Sequence, residues 1–210
     1  MTFRRTHPEP SFFTPDDEPY RDLDGVIAFD AMIVELMKKS RVIAALTEAQ
    51  DLSGLQRAVA QIVPQGINLG LGIRELIRQA HLFSAAVLLR SLVEQAAIVH
   101  YLLAHPDAIP VWEAGWNHSE RPSLKTMLGS FKADADQDVL RQVCELLNHL
   151  THGDPVGAEF NAVYLSNRAR GYVVGRITTD PEFCDFVCSQ AVSWLVVLRA
   201  VMEECFPSPS

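Results

Sequence analysis

The stretch HLFSAAVLLRSLVEQAAIVHYLLA, residues 81–104, is apolar on nearly every side yet carries an arginine, a glutamate and a tyrosine. At a helical advance of about 100° per residue, Arg90, Glu94 and Tyr101 fall within about 40° of one another. A charge on a helix with so little polar surface needs partners, because isolated buried charge is very costly. A guanidinium holds five N–H donors, more than one carboxylate satisfies. Arginine before glutamate is also the weaker order for a pair four residues apart. The pattern therefore predicts a central helix whose polar line meets a further polar group from another element. Two readings of that line stand side by side: an internal clamp that fixes helix register, or polar side chains facing a cleft or subunit interface.

Working outward, Val26, Ile27, Ile33, Leu36, Met37, Val42, Ile43 and Leu46 recur at helical spacing and predict a helix over 25–50. Ser53 with Gln56 reads as a capping box opening a second helix. Pro64 should break or kink it, and a third helix should run from about 65 to 80. His105-Pro106 ends the apolar helix. Residues 106–134 read as irregular, with Trp112 and Trp116 packed on the body and one short helix near 123–131. Over 135–152, Val139, Val143, Leu146, Leu147 and Leu150 form a core stripe. Asp134, Asp136 and Asp138 suit its positive end, and Gly153 with Asp154-Pro155 stops it. Residues 156–178 are ambiguous. Val156, Phe160, Val163 and Tyr164 fit a helical turn, whereas 172–178 fits a strand in a hairpin across Arg170-Gly171. Thr179 with Glu182 predicts a second capping box, Pro181 suits a first turn, and the last helix should cover 183–206.

The expected fold is all-α. It is a single-domain helical bundle of five or six helices over 24–210, with at most one small β-hairpin near 160–178. Residues 1–23, acidic and proline-rich, read as an extended or poorly ordered arm. Its aromatics Phe12, Phe13 and Tyr20 can pin it to the body or to a second subunit.

Composition narrows the function classes. The net charge of −8 disfavours generic attraction to nucleic acid or anionic membrane. Arg168, Arg170 and Arg176 lie close together, flanked by Glu159 and Asp180, and read as a solvated loop or element end. The opening MTFRRTHP lacks the apolar run of a secretory leader, so a cytoplasmic location is expected. The four cysteines, Cys144, Cys184, Cys188 and Cys205, then read as reduced, buried small hydrophobes, without the pairing of a structural zinc site. The uncharged run 186–198 falls short of the roughly 20 residues of a membrane span, and the helix over 81–104 is interrupted by charge. Both read as core helices, and no membrane association is expected.

Cofactor motifs are missing as well. QGINLGLGIRE contains Gly-x-Gly, but Glu75 stands where a dinucleotide fingerprint needs a small residue. Gly66, Gly70 and Gly72 read instead as sites of close helix approach. No Gly-x-Ser-x-Gly elbow occurs. Ser84, Ser91 and Gln95 form a small polar face suited to helix contact.

A second polar constellation lies in the helix over 135–152. Arg141, Glu145, His149 and His152 line one side at spacings of four, four and three. One reading is a solvated face ending in a helix stop, where histidine is favoured by the dipole. A second is proton transfer by histidine beside an anion-holding arginine. A third is a metal site from Glu145, His149 and His152, although no second Glu-x-x-His is found to complete a di-iron bundle.

The pairing of L89-R-S-L-V-E94 with a later helix ending in His152-Gly153 resembles an uncharacterised group of bacterial all-helical proteins distantly similar to the HEPN superfamily. The resemblance covers about residues 66–153. It implies a dimer, and either metal-independent RNA cleavage or a role with toxin, antitoxin and phage-defence systems. The usual HEPN mark is an arginine, four to six residues, then a histidine. Here seven residues separate Arg141 from His149, and ten separate it from His152. If the activity were kept, His149 or His152 would act as acid and base, and Arg141 or Arg90 would hold the scissile phosphate. The 2′-hydroxyl would attack, and no cofactor would be needed. Arg90, Glu94, Arg141, His149 and His152 are thus the candidate site residues. The altered spacing and acidic balance favour a non-catalytic dimeric interaction or regulatory module, with an RNA or protein partner. A metal-independent endoribonuclease is the alternative, and a metal-binding bundle the second alternative.

Overall fold

The computed structural model describes residues 16–49, 51–117, 119–131, 137–152, 155–159, 162–164, 170–172, 177 and 180–207. The fold is all-α. Among the described residues there are nine α-helices, more than the five or six expected. Six of these have nine residues or more: α1 (Asp24–Lys39), α2 (Arg41–Ala49), α3 (Gly54–Arg78), α4 (Leu82–Ala104), α7 (Gln137–Thr151) and α9 (Pro181–Cys205). The surplus is three five-residue helices in segments where periodicity had too few turns to register: α5 (Ile109–Glu113), α6 (Leu124–Leu128) and α8 (Pro155–Glu159).

Helix α3 runs continuously through Pro64, so of the break or kink expected there the break does not occur. The proline leaves one carbonyl without its helical N–H. What holds the helix together is its buried face, in which Val59, Ile62, Val63, Ile67, Ile73 and Ile77 pack inward on either side of the proline. Its start is the expected capping box: Ser53 Oγ accepts from the Gln56 N–H at 3.2 Å, and the Gln56 side chain accepts from the Ser53 N–H at 3.0 Å. Gly66 permits the closest approach in the core. A Cβ there would stand 2.2 Å from Leu198 Cδ1 of α9.

The helix expected over 25–50 is divided at Ser40, whose hydroxyl donates to the Met37 carbonyl at 3.1 Å. Helix α9 starts on Asp180 rather than on a Thr179 box. The Asp180 carboxylate accepts from the Phe183 N–H at 3.1 Å, and Thr179 lies outside the described residues. The hairpin is present, with β1 (Ala162–Tyr164) antiparallel to β2 (Arg170–Tyr172). Its register pairs Val163 with Gly171, so Arg170 and Gly171 belong to the strand and not to the turn. The Arg168 and Arg176 positions, and Gly153 at the end of α7, also lie outside the described residues.

Helix α4 is central and packs on α3, α9, α7 and α6, while α1 closes the bundle against α9 and α3. Buried side chains from all of these form one continuous apolar cluster. Helices α4 and α9 have the length and apolarity of a membrane span. In this fold they pack on each other. Of the arm read over 1–23, the described part meets the body through Tyr20, which is buried, and Glu18, which pairs with Arg74 of α3 at 2.6 Å. Arg74 also grips Asp30 of α1, at 2.6 and 3.0 Å. Burial pushes the Tyr20 hydroxyl well above its usual range, with Cys184 and Asp180 adding to the effect. Phe12 and Phe13 lie outside the described residues.

Candidate functional site

The polar line of α4 meets a neighbour on each side. Arg90 Nε donates to Asn148 Oδ1 of α7 at 2.8 Å, and Arg90 NH1 lies 3.3 Å from Glu94 Oε2. The other Glu94 oxygen accepts from Arg121, in the segment between α5 and α6. The Arg90 side chain is only 17% exposed, so these are the contacts that compensate its desolvation. Tyr101, on the same line three turns from Arg90, instead lies tilted against His105 and meets Trp116 edge-on. The line thus ties α4 to α7 and to the irregular segment that Trp112 and Trp116 anchor on the core.

On α7 the buried face is Val143, Cys144, Leu147 and Leu150. Arg141, Glu145, His149 and His152 are all exposed. Arg141 is bracketed by two carboxylates of its own helix, Asp138 at 2.9 Å and Glu145 at 4.0 Å. A cleft of about 440 Å³ opens between α6 and α7 beside this arginine. Its floor includes Leu124, Leu128, Leu140 and Cys144, and its rim carries Lys125, Asp138, Arg141, Glu145 and Asn148. Neither histidine lines it.

The structure therefore brings Arg90 and Glu94 together with Asn148, and Arg141 together with Glu145. Asn148 connects the two groups, since it touches Arg90 and also borders the cleft. His149 and His152 stand on the outer side of α7. From Arg141 they are about 12 and about 16 Å along the helix axis, at 1.5 Å per residue. No group of three or more His, Cys, Asp or Glu side chains among the described residues is placed to hold a metal ion.

Cys144 is the one thiol among the described residues that line the cleft. Burial raises its pKa above the usual thiol value, although the charge of Arg90 pulls the other way. It is a protonated thiol near neutral pH and a poor nucleophile. The cleft offers an apolar floor and a rim of mixed charge, which suits a contact surface better than an anion site.

Asn148 and Arg121 are partners of the α4 polar line that the sequence reading did not name. Asn148 could have been found: it follows Arg141 by seven residues, on the side of α7 between the core stripe and the exposed face. Arg121 sits among residues with no periodicity, and nothing in the sequence ties it to Glu94. Comparisons with protein-family models, curated proteins and solved structures give no match for this chain.

Proposed function

We propose that this chain is a non-catalytic helical module, HEPN-like in kind and cytoplasmic, that works by association: with a second copy of itself and, through that dimer, with a partner it regulates. One observation carries this reading. Among the described residues, the rim around Arg141 presents Asp138 and Glu145 and no histidine. Phosphoryl transfer needs a cation held for the phosphate and an acid or base within hydrogen-bond reach of the reacting oxygen. Here the cation is answered by two carboxylates, which repel an approaching phosphodiester. The Nε and NH1 of Arg90 are engaged in holding α4 to α7 and to Glu94.

The reading is tested by incubating the purified protein with single-stranded and structured RNA in EDTA, alongside His149→Ala and His152→Ala. Equal background in all three is expected. Cleavage by the wild type that either substitution abolishes would replace this reading with a metal-independent endoribonuclease. Sedimentation velocity across a concentration series tests the second half, with reversible dimerisation as the expected result.

A further inference from the structure

Among the described residues, four of the five exposed large apolar side chains lie on and beside one helix. Ile27 (55% exposed), Val34 (49%) and Met37 belong to α1, and Leu71 belongs to α3, which packs against it. The inner face of α1 is Val26, Phe29, Ile33 and Leu36. Its outer side carries Asp24, Ile27, Ala31, Val34 and Lys38, all exposed, at spacings of three, four, three and four. That is the spacing of a two-helix seam. A lone outward face would normally be polar at the middle of such a stripe.

Resting on the associative reading above, we infer that the outer stripe of α1 is the surface on which a second copy of this chain docks, as an antiparallel α1–α1 pair about a two-fold axis at Ala31. The stripe is self-complementary only in that orientation. It is acidic at one end, basic at the other, apolar between, and small at its centre. Antiparallel pairing sets Asp24 against the partner's Lys38 twice, and Ile27 beside the partner's Val34 twice. Such a repeat is what an isologous contact requires. A parallel pairing would oppose like charges at both ends. Ala31, with Ala28 beside it, lets the two backbones approach closely. Asp24 and Lys38 make no ion pair within the chain among the described residues. The neighbouring Lys39, by contrast, is taken by Glu35 and Glu203. A 16-residue helix offers about 24 Å of seam. With Met37 and Leu71 at its edge, this is a contact at the small end of specific interfaces, so a dissociation constant of micromolar order is expected.

The competing face is the groove between α3 and α4, about 400 Å³, lined by Gln65, Asn68, Leu69, Leu88, Ser91 and Gln95. It is uncharged and sets no orientation. It supplies the controls.

The test is sedimentation velocity of the full chain, with circular dichroism to establish that each variant is folded. Val34→Glu should weaken the dimer at least about tenfold, whereas Leu88→Glu should leave it unchanged. Asp24→Lys and Lys38→Asp should each weaken it by about tenfold, and the double swap should restore it to within about threefold. Proximity is read independently by Ala31→Cys. The four native cysteines are buried, so mild oxidation should link two copies at residue 31, and Ser91→Cys should not. A wild-type dimer indifferent to Val34→Glu and to the charge swaps would overturn the surface while leaving self-association standing. A wild type that is monomeric at every concentration would overturn both. Dimerisation only after removal of residues 1–15 would assign the stripe to that segment instead and overturn the inference.

Discussion

Arg90 with Glu94 and Arg141 with Glu145 are the same local arrangement: an arginine four residues before a glutamate, on helices that pack against each other. The molecule treats them differently. The α4 pair is 3.3 Å apart, with the side chains 17% and 30% exposed. The α7 pair is 4.0 Å apart, with 56% and 63% exposed. The first reaches other elements, through Asn148 and Arg121, whereas the second finds its partners on its own helix. Spacing along a helix permits an ion pair. What surrounds the helix decides whether the pair holds the fold together or merely decorates it.

Removing one member of the part-buried pair is the harshest way to break this contrast. Arg90→Ala leaves Glu94 with Arg121 alone and strips Asn148 of its charged donor. We expect a loss of about 3 kcal/mol in urea unfolding, from two charge-assisted hydrogen bonds and the packing of an arginine stem that is mostly shielded from solvent. Asn148→Ala keeps the ion pair and removes only the link to α7, so a loss of about 2 kcal/mol is expected. If both substitutions cost less than about 0.5 kcal/mol, the α4 line is no clamp, and the contrast with α7 disappears.

A titratable group sharpens the comparison further along α4. His100 Nδ1 lies 3.0 Å from Ser130 Oγ, which itself donates to the Met127 carbonyl at 2.6 Å. The hydroxyl proton is thus used, and Nδ1 is the donor to the serine oxygen. The ring stacks on Phe131 with centroids 3.9 Å apart. Burial lowers the pKa of His100, with the charge of Glu204 opposing in part. The unfolded chain therefore takes up this proton first as pH falls. The stabilising contribution is complete above the ordinary histidine pKa of about 6.5 and is lost as pH drops from there through the folded value. His100→Gln keeps a donor and should flatten the change in urea midpoint between about pH 7 and 5. An unchanged slope would place the titration elsewhere.

The architecture was legible wherever burial imposes a period. The apolar run 81–104, the Ser53–Gln56 box and the stripe Val143, Leu147, Leu150 each carry their structure in spacing alone. The break expected at Pro64 does not occur because the local rule competes with packing, and Ile62, Val63, Gly66 and Ile67 on either side of the proline are buried. The short helices α5, α6 and α8 escaped because one turn is too little for a pattern. At the candidate site, the need for a partner to Arg90 was readable from valence, but its identity was not. Asn148 is distant in sequence, and only the crossing of α4 with α7 brings it near. Reading Arg141, Glu145, His149 and His152 as a stripe located them on one side of α7. Whether that side is wet depends on what packs over it, which their spacing does not encode.

The mildest expected effect belongs to that stripe. Arg141→Ala should change stability by no more than about 0.5 kcal/mol, because two exposed carboxylates one turn away screen poorly against water and their pairing costs side-chain freedom. A double-mutant cycle makes the comparison direct. The coupling between Arg90 and Glu94 should exceed that between Arg141 and Glu145 by at least about 1 kcal/mol, and only the latter should vanish in 0.5 M salt. Equal couplings would mean that exposure is a poor guide to the strength of these pairs. Arg141 would then have to be reconsidered as a residue held in place for a ligand of the α6–α7 cleft, since a surface arginine kept rigid at entropic cost needs something to hold.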